Sequence, residues 1–167
     1  MRVLDASSII YGWDNYPPVQ FPKLWVWIAE RIEAGDLTIP RVAMDEVAHR
    51  SPDCGRWLKA HDIPVLDVTD QILLDALRIK VLLGVQDEAY DREGVGENDL
   101  IIIATARAHS VELITDEARQ TTLPAVRRRF KIPAVCALAR RRRCQLELSR
   151  LHQAVASHLR LIGRPRQ

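Results

Sequence analysis

Apolar residues recur along the chain in two patterns: short runs bounded by polar residues, and longer stretches with helical spacing. Short runs that are apolar throughout are typical of strands buried on both faces of a sheet. They predict four strands, at residues 2–4, 37–39, 64–68 and 111–115. The longer stretches predict helices at residues 7–13, 21–34, 40–50, 70–84 and 98–109, one or two helical turns near Trp57, a connection or short strand at 130–133, and helical sequence from there to about 161.

Strands that alternate with helices predict an α/β fold, in which helices cover both faces of a central, mostly parallel sheet. We expect residues 1–138 to form a single domain and residues 139–167 to form a basic C-terminal helical extension. The extension would pack on the same domain or on a partner. Ligands of such sheets bind at the carboxyl ends of the strands, so this edge is where functional residues are expected.

Two details of the pattern leave alternatives open. Trp25 and Trp27 lie on the second predicted helix, and their helical spacing favours the core, with a dimer or partner surface as the alternative. The polar segment DEAYDREGVGEN predicts a loop that is flexible around Gly94 and Gly96.

Composition and charge narrow the class of protein. The chain is 47% apolar and 28% charged, as in an ordinary soluble globular domain. No apolar run approaches the roughly 18 residues that span a membrane, and the first residues lack the form of a signal peptide, so we expect a cytoplasmic protein without a membrane partner. Residues 1–126 carry 12 Lys and Arg against 21 Asp and Glu, whereas residues 127–167 carry 12 against 1.

Acidic residues directly follow the first and the last predicted strands. Asp5 follows the first strand, and Asp116 and Glu117 follow the last. Because parallel strands end at one edge of a sheet, we expect these carboxylates to lie near each other there. Asp5 could instead cap the next helix, and one of the last two could be a turn residue.

Two further acids lie on helices. Asp99 follows Asn98, the expected N-cap of a helix so apolar that it must be largely buried. The helix dipole favours an acid in the first turn, which would explain Asp99 without a function. An acid at the N-terminus of a buried helix is also a candidate functional residue. Glu46 lies on the helix after the second strand, where a surface ion pair with Arg50 is the alternative.

Carboxylates gathered from separate segments repel one another unless a cation neutralises them. Mg²⁺ and Mn²⁺ prefer oxygen ligands, and such ions activate water and hold a phosphodiester for attack. The five histidines show no short zinc-binding spacing, and no glycine-rich phosphate loop is present. The acids therefore predict a site for one or two hard divalent cations.

Four segments in order, VLDASSII, IPRVAMDEV, NDLIIIATA and LITDEA, resemble the motifs of the PIN domain, a metal-dependent nuclease fold. The resemblance covers roughly residues 1–135 and implies a single PIN-like domain. It implies that Asp5, Glu46 and Asp99 are three of the acidic active-site residues. The Ser7 hydroxyl matches a position that supports the first acid.

The fourth acid of the resemblance departs from the family pattern. The usual T-x-D is written here as Thr115-Asp116-Glu117, so Glu117 takes the place of Asp and Asp116 is the second candidate. The resemblance thus implies catalysis by Asp5, Glu46, Asp99 and Glu117, metal binding by Asp5, Asp99 and Glu117 or Asp116, and support from Ser7, Thr115 and Asn98.

Free-standing bacterial PIN domains of this size are similar to VapC-type toxins, which cut RNA and are held inactive by an antitoxin. The resemblance therefore implies an endoribonuclease that hydrolyses RNA with Mg²⁺ or Mn²⁺, with an antitoxin and a second copy of the chain as expected partners. The alternative is a non-catalytic PIN-like module that binds RNA or a partner. A phospho-receiver domain is disfavoured because Asp5 has no adjacent acid.

Two basic runs lie near the C-terminal end, RRRFK at 127–131 and RRRR at 140–143. Such runs are often solvated helix faces, or they pair with an acidic body. They can also contact phosphates, and on this hypothesis the residues that bind RNA are Arg140, Arg141, Arg142 and Arg143.

Overall fold

The computed structural model describes residues 1–139 of the chain and confirms the α/β class. The elements, in order, are β1 Arg2–Leu4, α1 Ala6–Asn15, α2 Pro22–Glu33, β2 Leu37–Pro40, α3 Arg41–Arg50, α4 Pro52–Ala60, β3 Val65–Leu66, α5 Asp70–Leu83, α6 Glu97–Ala108 and β4 Glu112–Ile114. A 3-10 helix at Arg127–Arg129 follows, and residues 132–139 are helical.

The sheet has the strand order β3-β2-β1-β4, and every neighbouring pair is parallel. On β1, Val3 pairs with Thr38 of β2 on one side and with Leu113 of β4 on the other. Along the chain, β2 pairs with one side of β1 and β3 pairs with β2. The last strand, β4, then pairs with the other side of β1. The strand order therefore reverses between β1 and β4, which is where a parallel sheet opens a crevice for ligands.

Two apolar clusters pack against this sheet. The first joins strand residues such as Ile39 to helices α1–α4, for example through Leu58. The second joins α5 and α6 to residues 130–139, for example through Ile103. Leu113 of β4 contacts both clusters, so the sheet separates two helical layers, as the sequence predicted.

The ends of several elements differ from the prediction. Helix α6 begins at Glu97 and its N-cap is Gly96, so the expectation that Asn98 caps this helix is wrong. The Asp99 side chain accepts the backbone N–H of Gly96, which places the N-cap two residues before the expected one. Residues 130–133 contain no strand, since the 3-10 helix leads almost directly into the helix at 132–139.

The two tryptophans of α2 have opposite surroundings. Trp25 is 3% exposed, donates its indole N–H to the carbonyl oxygen of Tyr16 at 2.6 Å, and contacts the rings of Trp13 and Trp57. Trp27 is 54% exposed, so the core prediction holds for Trp25 and is wrong for Trp27. Residues two apart on a helix point to nearly opposite sides, so the same helix cannot bury both rings.

The described residues end at Ala139, so the predicted boundary between residues 138 and 139 stays a prediction. The C-terminal extension and its arginines, Arg140, Arg141, Arg142 and Arg143, lie outside the described residues. Within residues 1–139, no helix is long and apolar enough to cross a membrane.

Candidate functional site

Asp5 occupies the carboxyl end of the central strand β1 and is 2% exposed. Its backbone N–H donates to the carbonyl oxygen of Ile114 at 2.9 Å, which ties the ends of β1 and β4 together. The Asp5 carboxylate oxygen Oδ2 accepts hydrogen bonds from the hydroxyls of Ser7 and, at 3.2 Å, Thr115. Asp5 is thus the N-cap residue of α1 by position, but the side-chain contacts at its carboxylate are with these two hydroxyls.

Two opposing effects act on the ionisation of Asp5. Burial raises the pKa of the Asp5 carboxyl, because a charge is poorly solvated there. The hydroxyls of Ser7 and Thr115 work against this rise, because they stabilise the ionised form. Both hydroxyls come from positions that the sequence singled out as supporting residues.

Asp99 lies in the first turn of α6, where its Oδ2 accepts the backbone N–H of Gly96 at 2.7 Å. Burial raises the pKa of the Asp99 carboxyl to about 6, although the Gly96 hydrogen bond opposes that rise. The negative charges of Asp5, Glu117 and Glu46 contribute to this raised pKa. The fold therefore brings four acids from four separate segments within electrostatic reach of one another.

Of the last two acids, Glu117 is the one whose charge acts on Asp99. Glu117 is half-buried, and its Oε2 accepts the backbone N–H of Ile132 at 2.6 Å. Ile132 opens the helix at 132–139, where the helix dipole also favours a negative charge. Asp116 is exposed, so between the two candidates the geometry favours Glu117.

Glu46 shows both of the interactions expected for it. Its Oε1 lies 2.7 Å from Nη1 of Arg50 one turn later on α3, so the surface ion pair is present. Its charge also raises the pKa values of Asp5 and Asp99. Asn98, in contrast, is exposed and does not cap the helix.

The donor chemistry of this edge fits a hard divalent cation. The four groups are carboxylates, which Mg²⁺ and Mn²⁺ prefer. Within residues 1–139, no three Asp, Glu, His or Cys side chains are already gathered closely enough to form a complete ligand set. The structure thus brings the predicted acids to one edge and holds each with its own polar partner.

The sequence did not identify the residues that hold the segment next to these acids in place. Gln120 and Asp91 both hydrogen-bond to the segment that precedes the helix at 132–139. Gly94 is the local signal that could have found this packing: a Cβ there would overlap the carbonyl oxygen of Arg128. The glycine that suggested flexibility is therefore required by close backbone packing.

The described basic run, residues 127–131, pairs with acids of the same chain. Arg129 Nε lies 3.0 Å from Oδ2 of Asp91 and its Nη1 lies 3.4 Å from Glu93, while Arg128 lies 3.7 Å from Asp91. The backbone N–H of Glu93 and these arginines lower the pKa of Asp91. For Arg128 and Arg129, pairing with the acidic body is therefore observed.

The fold and this edge together define a class: an α/β domain with a parallel sheet and a carboxylate cluster at the point where its strand order reverses. The chain belongs to the family described as a domain of unknown function, DUF4411, whose model matches residues 3–144. That match spans all four acids. No curated protein matches the chain.

Proposed function

We propose that this protein is a cytoplasmic, Mg²⁺- or Mn²⁺-dependent endoribonuclease of the PIN type. The observation that carries the proposal is the convergence of Asp5, Glu46, Asp99 and Glu117 at the reversal point of the strand order. Mutual repulsion among acids is costly, and buried carboxyls with raised pKa values beside other acids, such as Asp5 and Asp99, are typical of a functional site. A bound cation would reduce this repulsion, and the carboxylates would serve as its ligands.

The residues at this edge have separable roles in the proposed reaction. Asp5, Asp99 and Glu117 would hold the cation, with Asp116 as the second candidate for the last position. When bound, the cation neutralises the carboxylates, activates water and stabilises charge on the scissile phosphate. The hydroxyls of Ser7 and Thr115 favour the ionised form of the Asp5 carboxyl and orient it, as outer hydrogen-bond partners do in metal sites.

Glu46 completes the negative edge while it remains paired with Arg50. The charge of Glu46 raises the pKa values of Asp5 and Asp99, so its carboxylate lies within electrostatic reach of both. In the proposed reaction Glu46 would complete the pocket around the reacting phosphate.

The proposed biological context is that of a toxin in a toxin–antitoxin pair. RNA is the substrate, a cognate antitoxin keeps the enzyme inactive, and a second copy of the chain is a further partner. This context rests on the resemblance of the four acidic motifs to VapC-type toxins. The arginines from Arg140 to Arg143 retain their proposed role as phosphate contacts.

A non-catalytic module that binds RNA or a partner protein is the second candidate. The observation that favours it is that each acid already has a partner within the protein. Asp99 accepts from Gly96 and Glu117 accepts from Ile132. These bonds would give the acids a structural use without any cation.

The test is cleavage of a structured RNA pool by the purified chain, free of any antitoxin, in Mg²⁺, in Mn²⁺ and in EDTA. The same assay is run with Asp99→Asn and with Asp45→Asn, a matched change at an exposed acid of α3. Metal-dependent cutting that is lost in Asp99→Asn and kept in Asp45→Asn supports the nuclease. Absence of cutting with either metal favours the binding module, and cutting that survives EDTA and Asp99→Asn identifies a contaminating nuclease.

A further inference from the structure

Residues 129–132, which we call the strap, hydrogen-bond to Glu117 and to the turn that holds Asp99. Its first contact is with Glu117. The backbone N–H of Ile132 donates to Glu117 Oε2 at 2.6 Å, a short bond to a charged acceptor. The position of the Glu117 carboxylate therefore depends on where the strap lies.

The second contact of the strap leads to Asp99. The backbone N–H of Val95 donates to the carbonyl oxygen of Phe130 at 3.1 Å. Val95 is 1% exposed and precedes Gly96, the residue whose N–H holds Asp99 Oδ2. A single backbone segment thus links the turn that holds Asp99 to the carboxylate of Glu117.

Gln120 fastens the strap on the β4 side. Its amide nitrogen Nε2 donates to the carbonyl oxygen of Arg129 at 3.0 Å, and its Oε1 accepts the N–H of Lys131 at 2.9 Å. One side-chain amide therefore satisfies two backbone groups of the strap, as a neighbouring strand would. Gln120 is three residues from Glu117, so it also couples the strap to the chain that leaves β4.

Asp91 fastens the strap on the loop side. It accepts from Arg129 Nε at 3.0 Å and from the backbone N–H of Glu93 at 3.1 Å. Next to this pair, Gly94 lies so close to the Arg128 carbonyl oxygen and to the backbone of Arg129, the first residue of the strap, that no side chain fits between them. Loop and strap are therefore joined by charge and by direct backbone contact.

We propose that the strap sets the separation of Asp99 and Glu117, and that Asp91 and Gln120 are the positioning residues that hold it. The consequence for metal binding rests on the proposed nuclease function. Neither positioning residue is among the acids that would hold the cation. Each acts through backbone groups that in turn hold those acids, so its loss widens the range of positions that the two carboxylates sample.

The experiment compares Gln120→Ala and Asp91→Asn with the unaltered chain, by amide hydrogen exchange and by titration with Mn²⁺ alone. Loosening of the strap is expected to speed exchange of the Ile132 amide by about tenfold, as local opening becomes easier. Mn²⁺ affinity is expected to weaken by about tenfold, the scale seen when outer hydrogen-bond partners of metal ligands are removed. RNA cleavage should show the loss in kcat rather than in KM.

Two control variants lie in the connection between α5 and α6, which also contains Asp91. Gln86→Ala matches Gln120→Ala, and Glu88→Gln matches Asp91→Asn as a change from acid to amide. Both control positions are exposed and outside the strap, so amide exchange and Mn²⁺ affinity should be unchanged. Circular dichroism establishes that each variant is folded.

Two results overturn the inference. Unchanged protection of the Ile132 amide in both variants shows that Asp91 and Gln120 do not hold the strap. Faster exchange with Mn²⁺ affinity within twofold of the unaltered chain shows that the strap does not position the acids. If the unaltered chain neither binds Mn²⁺ nor cuts RNA, the proposed function fails, and amide exchange still decides whether the strap holds Glu117.

Discussion

Asp5 and Asp99 lie at the same edge of the sheet, yet their surroundings differ. Asp5 is almost fully buried and receives two side-chain hydroxyls, from Ser7 and Thr115. Asp99 is less buried, accepts one backbone N–H from Gly96, and faces the charges of the other three acids. Burial raises the pKa of both carboxyls and hydrogen-bond donors oppose that rise at both, while like charges from three acids add to it at Asp99.

This difference suggests different roles for the two acids in the proposed site. Asp5 is a fixed anchor, because donors from both sides of the β1–β4 junction hold its carboxylate. Asp99, with a pKa raised to about 6, is the acid whose repulsion a cation relieves most. The following changes test that contrast.

Asp99→Asn should have the largest effect, and with opposite signs for activity and stability. Loss of a proposed metal ligand should reduce cleavage by more than about 100-fold, since even outer partners are worth 10–100-fold. Without metal at pH 8, however, the variant should unfold with a free energy about 1–3 kcal/mol higher, because it removes a carboxylate that repels its neighbours. Urea denaturation in EDTA measures this change.

The contradicting outcome is a variant that is both inactive and less stable. It would mean that the Asp99 carboxylate stabilises the fold through its hydrogen bond with Gly96. The proposal instead requires that this carboxylate destabilises the metal-free fold. Asp45→Asn serves as the control for a change of one charge on the surface.

The second prediction concerns pH. Because the folded-state pKa of Asp99 lies above its ordinary value of 3.8, Asp99 contributes stability that is fully present below about pH 4 and is lost as the pH rises through about 6. Stabilisation by Mn²⁺ should follow the reverse course. At 100 times its Kd and pH 8 the ion should add about 2.7 kcal/mol, and at pH 5 about half of that should disappear.

Thermal unfolding with and without Mn²⁺ at the two pH values measures this effect. The same stabilisation at pH 5 and pH 8 would show that deprotonation of Asp99 is not part of metal binding. In Asp99→Asn the difference between the two pH values should be small.

A third prediction tests the anchor. Ser7→Ala removes a hydroxyl that donates to the Asp5 carboxylate, so the pKa of Asp5 should rise further and cleavage should fall about 10- to 100-fold. Ser8→Ala is the matched control, because the Ser8 hydroxyl donates to the backbone oxygens of Asp5 and Ile114 and not to the carboxylate. Equal losses in the two serine variants, measured as kcat, would remove the special role of Ser7.

The smallest effect is expected for Arg50→Ala. Its ion pair with Glu46 joins neighbours on one exposed helix face, so its loss should cost no more than about 0.5 kcal/mol of unfolding free energy. Cleavage should change little, since Glu46 stays in place. A loss of several kcal/mol in urea denaturation would show that this pair organises the acidic edge.

Much of the fold was legible from local sequence. Helix α5 lies where the periodicity predicted it: Thr69 caps it and Gly84 ends it in the left-handed conformation, and both residue types commonly occupy such positions. The sequence also predicted that Asp5 and Glu117, which follow strands, lie at the same edge of the sheet, because parallel strands place their carboxyl ends at one edge. These features depend on short-range periodicity and backbone geometry, which neighbouring residues control.

Other features depend on contacts between segments that are far apart in the chain. The burial of Trp25 but not Trp27, the hydrogen bond from Ile132 to Glu117, and the raised pKa of Asp99 all follow from which elements pack together. The strap is the clearest case, since its bonds join residues 91–95, 117–120 and 129–132. No local pattern encodes such a contact, because its energy exists only once the sheet order has brought the three segments side by side.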